Sequence, residues 1–424
     1  MHAKKLASQQ HSTTMENLPF DVLSNIFIWL FAKQLAQMRC VCKSWNAFLS
    51  KSSFIKSHLD HSIHNNDEVL LFFYGAFDIF GDEAFSAHPT RSPNLKLNDF
   101  IKPPFNLKFA TVIGSVNGLI CFFDESYHDP MIYIWNPSLS ALSTLPPHFV
   151  ASLGDSYRKS IDFRFGFDSK SDDYKVIKLE GLLQPPSFID PNLAASVSAS
   201  SFVVKEWMQV EVYSMRKGCC QLISQRFPSH ITGISGEDEV SVTGYDGVPH
   251  WLGFIDEKKE LQTIVAFDFG AETFCEIPLP VSMLEHKAGD VLGVLGGKLC
   301  VMSRVRDDEC EVWVMDDYGV VESWVKRYTF SQFGNIVPFG FTSHNEFLFK
   351  VEKVHGDDDD DDVDYDDLHD VEYSDDCFGL YDPVAEKSKF FKLHCGITKI
   401  VGYVDSLVWM GPNELQMSIS QLQI

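Results

Sequence analysis

Three stretches of the chain carry residue types that could do chemistry. Gly114-Ser115-Val116-Asn117-Gly118 sets a serine among glycines. The strained turn that exposes a nucleophilic hydroxyl needs G-x-S-x-G, and here the serine stands one place early. Gly296-Gly297-Lys298 suggests a phosphate cradle, but Leu299 follows where the Mg²⁺-binding Ser or Thr belongs, and Leu292 takes the place of the first glycine. Asp362, Asp364 and Asp366 match the first ligands of a calcium loop. Asp367 replaces the glycine that lets such a loop turn, and Tyr373 replaces its bidentate glutamate. No H-E-x-x-H pair occurs. The sequence thus offers no nucleophile, metal cage or phosphate cradle at a recognisable spacing, and it is read as a non-enzyme without a cofactor or metal.

The ten cysteines include no C-x-x-C pair. Cys219 and Cys220 are adjacent and are expected to serve as small buried hydrophobes. The one sequon-like string, Asn136-Pro137-Ser138, is excluded by its proline. Both features favour the cytoplasm or nucleus.

The chain has 424 residues and a net charge of −24. Residues 357–376 hold 12 Asp and one Glu, and taking those thirteen charges away still leaves −11. An acidic chain of this kind has no footprint for nucleic acid or for an anionic membrane. No apolar run reaches the 18 residues of a bilayer-spanning helix. The acidic stretch, residues 356–376, reads as a charged inter-strand loop. Residues 1–14 and 411–424 read as tails, the first without the apolar core of a secretory signal.

Two regions must position whatever the chain binds. The first is helical. Leu18, Val22, Leu23, Ile26, Phe27 and Leu30 form one helical stripe, with Pro19 and Asp21 suited to the first turn. A connecting helix is expected over Lys33 to Met38, and a further stripe runs Val41, Trp45, Phe48, Leu49. Ile28, Trp29 and Phe31 make the first helix apolar nearly all round, more than so small a unit can enclose. Two readings are open on that ground: the helix packs on its own C-terminal domain, or it awaits a partner.

The second region is a string of short strands with a recurring phrase. Its copies are IYIWNPSLSALSTLP ending at Pro146, VEVYSMRKGCCQLIS ending at Ser224, IVAFDFGAETFCEIPLP ending at Pro280, CEVWVMDDYGVVESWVK ending at Lys326 and FGLYDPVAEKSKFFKL ending at Leu393. Each predicts a hairpin. A partner hairpin precedes each copy, such as GSVNGLICFF from Gly114 and VLGGKLCVM from Val294. Four-stranded units repeated in this way predict a β-propeller of about six blades, the last built jointly from the strands near Leu70 and those after Ile397. A pair of stacked β-sandwiches is the competing architecture. Trp135, Trp207, Trp251, Trp313, Trp324 and Trp409 are expected to fill the blades, and Asn117 and Asn136 to sit in turns.

Both regions resemble a known family. Leu18-Pro19 with Asp21, the apolar stripe, the string Met38-Arg39-Cys40-Val41-Cys42-Lys43-Ser44-Trp45, and Phe54 with His58-Leu59 resemble a plant F-box. Trp29, Phe31 and Gln34 depart from that pattern, where Arg, Pro, and Ser or Asp are common. GSVNGLICF followed by the Trp135-Asn136-Pro137 phrase, and then by Phe165 to Asp168 and Asp173 to Val176, resembles the kelch-like F-box-associated domain. The resemblance implies a mainly β chain: a three-helix F-box over 15–60 and a propeller of about six blades over 65–410. It further implies that Leu18, Pro19, Ile26, Leu30, Leu35, Val41 and Trp45 bind a Skp-family adaptor and through it a cullin. The propeller would then hold an unidentified target protein for ubiquitination. The rival reading is a propeller that binds or acts on a small molecule or glycan.

Overall fold

The computed structural model describes residues 19–65, 68–74, 85–90, 110–124, 131–145, 158–190, 198, 201–235, 248–280, 283, 288–331, 333–352, 376–393 and 397–409. Residues 1–14 and 411–424, and the acidic run up to Asp375, lie outside them, so the expectations for the tails, the calcium-like triad and the acidic loop fall outside the described residues.

The N-terminal region has four helices where the resemblance implied three: α1 (Phe20–Phe27), α2 (Ala32–Met38), α3 (Lys43–Leu49) and α4 (Ser52–Asn65). The fourth forms because Phe54, His58 and Ser62 recur every four residues and are all buried, with Ile55 and Leu59 beside them packed on the neighbouring domain. The first helix is shorter than its apolar stripe. It closes at Phe27, and Ile28, Trp29 and Leu30 form a tight turn whose N–H groups bond back to Ser24, Ile26 and Phe27.

From Val69 onward the chain builds six sheets. Strands β1 (Val69–Tyr74) and β2 (Phe85–Pro89) open the ring. Blade 1 comprises β3 (Ala110–Val116), β4 (Leu119–Asp124), β5 (Met131–Asn136) and β6 (Ala141–Leu145). Blade 2 comprises β7 (Lys159–Asp168), β8 (Asp173–Gln184), β9 (Val203–Trp207), β10 (Gln209–Ser214) and β11 (Cys219–Arg226). Blade 3 comprises β12 (Gly233–Ile234), β13 (His250–Phe254), β14 (Gln262–Asp268) and β15 (Thr273–Pro278). Blade 4 holds β16 (Ala288–Leu295), β17 (Lys298–Arg306), β18 (Glu309–Met315) and β19 (Trp324–Ser331). Blade 5 holds β20 (Asn335–Phe341), β21 (Phe347–Glu352), β22 (Asp376–Asp382) and β23 (Lys387–Leu393). The last strand, β24 (Ile397–Tyr403), pairs antiparallel with β1, so that Leu71 faces Val401 and the first and last strands of the ring share the closing blade. This is the six-bladed ring expected from the repeat, and not a pair of sandwiches.

Strand alternation fixes which loops share an end of the ring. In each blade the first–second and third–fourth turns lie at one end, and the second–third and inter-blade connections at the other. Three turns of the first group, at Asp168, Asp268 and Asp382, are tight. Asp168 receives the N–H groups of Lys170 and Ser171, Asp268 those of Gly270 and Ala271, and Asp382 those of Val384 and Ala385. These are Asx-type turns, in which the carboxylate replaces a backbone partner. Burial alone would push the Asp168 carboxyl up, but bonds from Ser171 and Lys175 outweigh it and hold the carboxyl below its ordinary range. Lys175 also donates to the Phe269 carbonyl at 2.7 Å, tying blade 2 to blade 3.

Blade packing is aromatic. Trp135, Trp207, Trp251 and Trp324 are buried, whereas Trp313 and Trp409 are half-buried. The adjacent Cys219 and Cys220 are exposed, contrary to the expectation for them, because β11 is the outermost strand of its blade and has no sheet to cover it. Partial burial and the neighbouring Glu211 carboxylate push the Cys220 thiol up to about 12, so it stays protonated.

Candidate functional site

The four-helix region has an apolar interior and an apolar exterior. Pro19 opens α1; its carbonyl receives the N–H groups of Val22 and Leu23. Leu23 and Phe27, four residues apart, turn inward and join Ala32, Leu35, Trp45, Phe48, Leu49 and Phe54 in one core. Phe27 meets Trp45 edge-on with ring centroids 5.2 Å apart. The string around Arg39 to Trp45 adds Trp45 to this core, with Cys42 packed against it. Arg39 donates to the Leu49 carbonyl at 2.9 Å, and the Cys42 sulfur accepts the Trp45 N–H at the start of α3.

One position away around α1, Val22 and Ile26 face out, and Trp29 follows beyond the helix end. Ile26 is 41% exposed and Trp29 71%, although Trp29 leans edge-on against the His61 ring at 4.4 Å. Phe31 and Val41 are each 64% exposed. So many exposed apolar side chains on so small a unit mark an interaction surface. The surrounding charge is basic: residues 19–65 hold five Lys or Arg against two Asp.

The residues that the resemblance assigned to adaptor binding therefore divide. Pro19, Ile26 and Val41 are on the surface. Leu30 is half-buried, its carbonyl bonded to the His58 ring at 2.9 Å. Leu35 has no exposed surface and Trp45 only 9%, so both fill the core of the free chain. Leu18 lies outside the described residues. Val22, Trp29 and Phe31 join the exposed set without having been assigned to it. The signal for Val22 was present: Leu23/Phe27 and Val22/Ile26 are two parallel pairs offset by one residue, hence two faces of α1 and not one stripe.

Among the described residues no group of three or more His, Cys, Asp or Glu gathers as a metal site, and no helix is long and apolar enough to cross a membrane.

The comparisons with known proteins agree with this division of the chain. Residues 15–57 match the F-box domain, and residues 79–358 match the F-box associated beta propeller domain. The chain is 26% identical over 333 residues to the F-box protein CPR1 of Arabidopsis thaliana, covering 77% of this chain and 76% of that protein. It is 23% identical over 314 residues to the F-box/kelch-repeat protein At3g23880 of the same plant, covering 73% and 78% respectively. A third Arabidopsis relative, the F-box protein At3g07870, is 26% identical over 351 residues and is covered for 75% of its length. With an F-box ahead of a ring of six blades, the chain belongs to the F-box proteins of the F-box associated beta propeller family.

Proposed function

We propose that this protein is the substrate-recognition subunit of a Skp–cullin–F-box ubiquitin ligase. The observation that carries the reading is the outer face of α1 and the turn after it, where Val22, Ile26 and Trp29 stay exposed while Leu23 and Phe27 fill the core beneath them. Such a face is stabilised by covering it, and a Skp-family adaptor is the cover an F-box implies. Pro19, Ile26 and Val41 would touch the adaptor with Val22, Trp29 and Phe31. Leu35 and Trp45 would act from within, by holding α1, α2 and α3 in register. The chain would do no chemistry itself. It would raise the local concentration of a target lysine near a charged conjugating enzyme, which is a proximity effect. The helices sit at the tight-turn end of the ring, which leaves the opposite end for the target. The cullin is reached only through the adaptor, and the same reading expects the protein in the cytoplasm or nucleus, which imaging of a tagged full chain would check.

The test is binding of the full chain to a purified Skp-family adaptor, followed by titration of an Ile26→Asp, Trp29→Asp variant. Retention by the wild type and loss in the variant, with unchanged melting of both, is the expected result. A wild-type chain that does not retain the adaptor removes the ligase reading.

A further inference from the structure

The F-box is completed by the far end of the chain. After β24 the chain does not leave the ring but runs as an extended strap, residues 404–409, between the tight-turn end of blade 1 and the helices. Leu407 is 1% exposed and belongs to the same core as Leu23, Phe27, Leu35 and Trp45. Leu139, in the third turn of blade 1, packs on that core too. Asp405 reaches the start of α2, where its carboxylate accepts the Ala32 N–H at 2.6 Å. The residue in the capping position is Phe31, whose side chain has no acceptor, so α2 draws its carboxylate from 373 residues away. Gln34 supplies the other half of the cap by accepting the Phe31 N–H at 3.1 Å.

The strap is itself gripped by two phrases that stood out in the sequence. The Asn136 side-chain amide donates to the carbonyls of Ser406 at 3.0 Å and Val408 at 2.6 Å, while its own oxygen accepts the Leu139 N–H. Ser138 bonds both the Tyr403 hydroxyl and the Asp405 carboxylate. Gly118 has φ +79°, and a Cβ there would collide with the Ser406 side chain and the Val404 carbonyl. The glycine thus serves both the turn and the close passage of the strap.

We infer that the strap is a working part of the F-box module, with Asp405 as a positioning residue for α2, and that the Asn117-Gly118 and Asn136-Pro137-Ser138 turns are the cleat that holds it. Two consequences follow. Because β24 and β1 pair to close the ring, and the strap and α4 leave from those two strands, the helices are anchored on both sides of the closure. The adaptor surface is therefore well formed only when the propeller is closed, and an unclosed ring would load poorly onto the ligase. The dependence on the adaptor rests on the function proposed above; the anchoring of α2 does not.

The experiment uses the full chain as wild type, Asp405→Ala, Asp405→Asn and Leu407→Ala. Hydrogen exchange of the free proteins reads α2 directly, and titration with a purified Skp-family adaptor reads the surface. Losing a charge-assisted bond in Asp405→Ala should speed exchange over residues 32–38 and weaken adaptor binding, each about tenfold. Asp405→Asn keeps an acceptor and should recover most of both, and propeller melting should hold in all three variants. Unchanged α2 exchange in both Asp405→Ala and Leu407→Ala overturns the inference. So does faster exchange with undiminished adaptor affinity, since the strap would then be packing alone. If the wild type binds no adaptor, the ligase reading falls while the exchange result still decides the role of the strap.

Discussion

The helical region and the propeller bury their apolar residues in opposite ways. Among the described residues sixteen large hydrophobics are exposed, and six of them lie in the helical region: Val22, Ile26, Trp29, Phe31, Val41 and Ile63. The other ten are scattered round a ring several times larger. Scattered exposed side chains are ordinary, whereas a concentration on a small unit is not. The charge differs as well. Residues 19–65 are basic on balance, whereas the whole chain carries −24. A propeller can satisfy itself because each blade covers the next and the last closes on the first. Four short helices cannot, and this region covers one side with the strap and blade 1 and leaves the other open.

The largest expected effect tests the self-sufficiency of the ring. Trp135 is fully buried among Phe85, Phe122 and the closing blade, so Trp135→Ala should cost about 3–5 kcal/mol in denaturant unfolding. A loss below 1 kcal/mol would mean that the blade interface collapses around the gap, and the contrast would weaken.

Acid should act on the ring next. His250 is buried at the start of β13 with its Nε2 beside the Tyr318 hydroxyl at 2.8 Å, joining blades 3 and 4. Burial holds this imidazole down at about 4, below its ordinary value of 6.5. The unfolded chain therefore takes up the proton first as pH falls. The stability contribution is complete above pH 6.5 and is lost as pH falls towards 4, at about 1.4 kcal/mol per unit and about 3 kcal/mol in all. Denaturant melts at stepped pH should show this slope, and His250→Gln should flatten it. Equal slopes in the two proteins would falsify the assignment.

The helical region should respond in the reverse manner, with binding changed and stability spared. Ile26→Ala with Trp29→Ala is expected to weaken adaptor binding by about 2 kcal/mol or more, as apolar anchors do. The melting free energy should move by no more than about 0.5 kcal/mol per site. Leu35→Ala is the sharpening control: it should lose stability and binding together, because Leu35 is core. A stable Leu35→Ala chain with impaired binding would place that side chain at the contact after all.

The smallest effect is at the seam. Lys56 and Asp172 pair across it at 2.9 Å with both side chains largely in water. A double-mutant cycle should return about 0.5 kcal/mol, fading with salt. A much larger coupling would make this pair, and not the strap, the main tie between the two regions.

How much could be read beforehand depended on the range of the contact. The hairpin in each repeat copy, the blade repeats, and the closure of Leu70 against the strands after Ile397 were legible, because turn chemistry and strand period are local and the repeat copies them. The spacing of the helical stripe separates a Leu23/Phe27 pair from a Val22/Ile26 pair, but which of the two is buried was not legible, since both are apolar. The same limit misplaced Cys219 and Cys220: a strand pattern does not say which strand is outermost.

By itself the sequence determined the kind of elements, their order and the six-fold repetition, because these follow from side-chain period and from residues such as Asn, Asp and Gly that dictate their own backbone. Only the tertiary structure decided what Asn136 and Asp405 are for. An asparagine in a turn and an aspartate near the chain end each have a sufficient local reading. Their actual partners, Ser406, Val408 and Ala32, are set by how the ring closes and where that closure delivers the strap. A hydrogen bond between residues 373 apart leaves no period or spacing in the sequence, because the fold alone determines that separation.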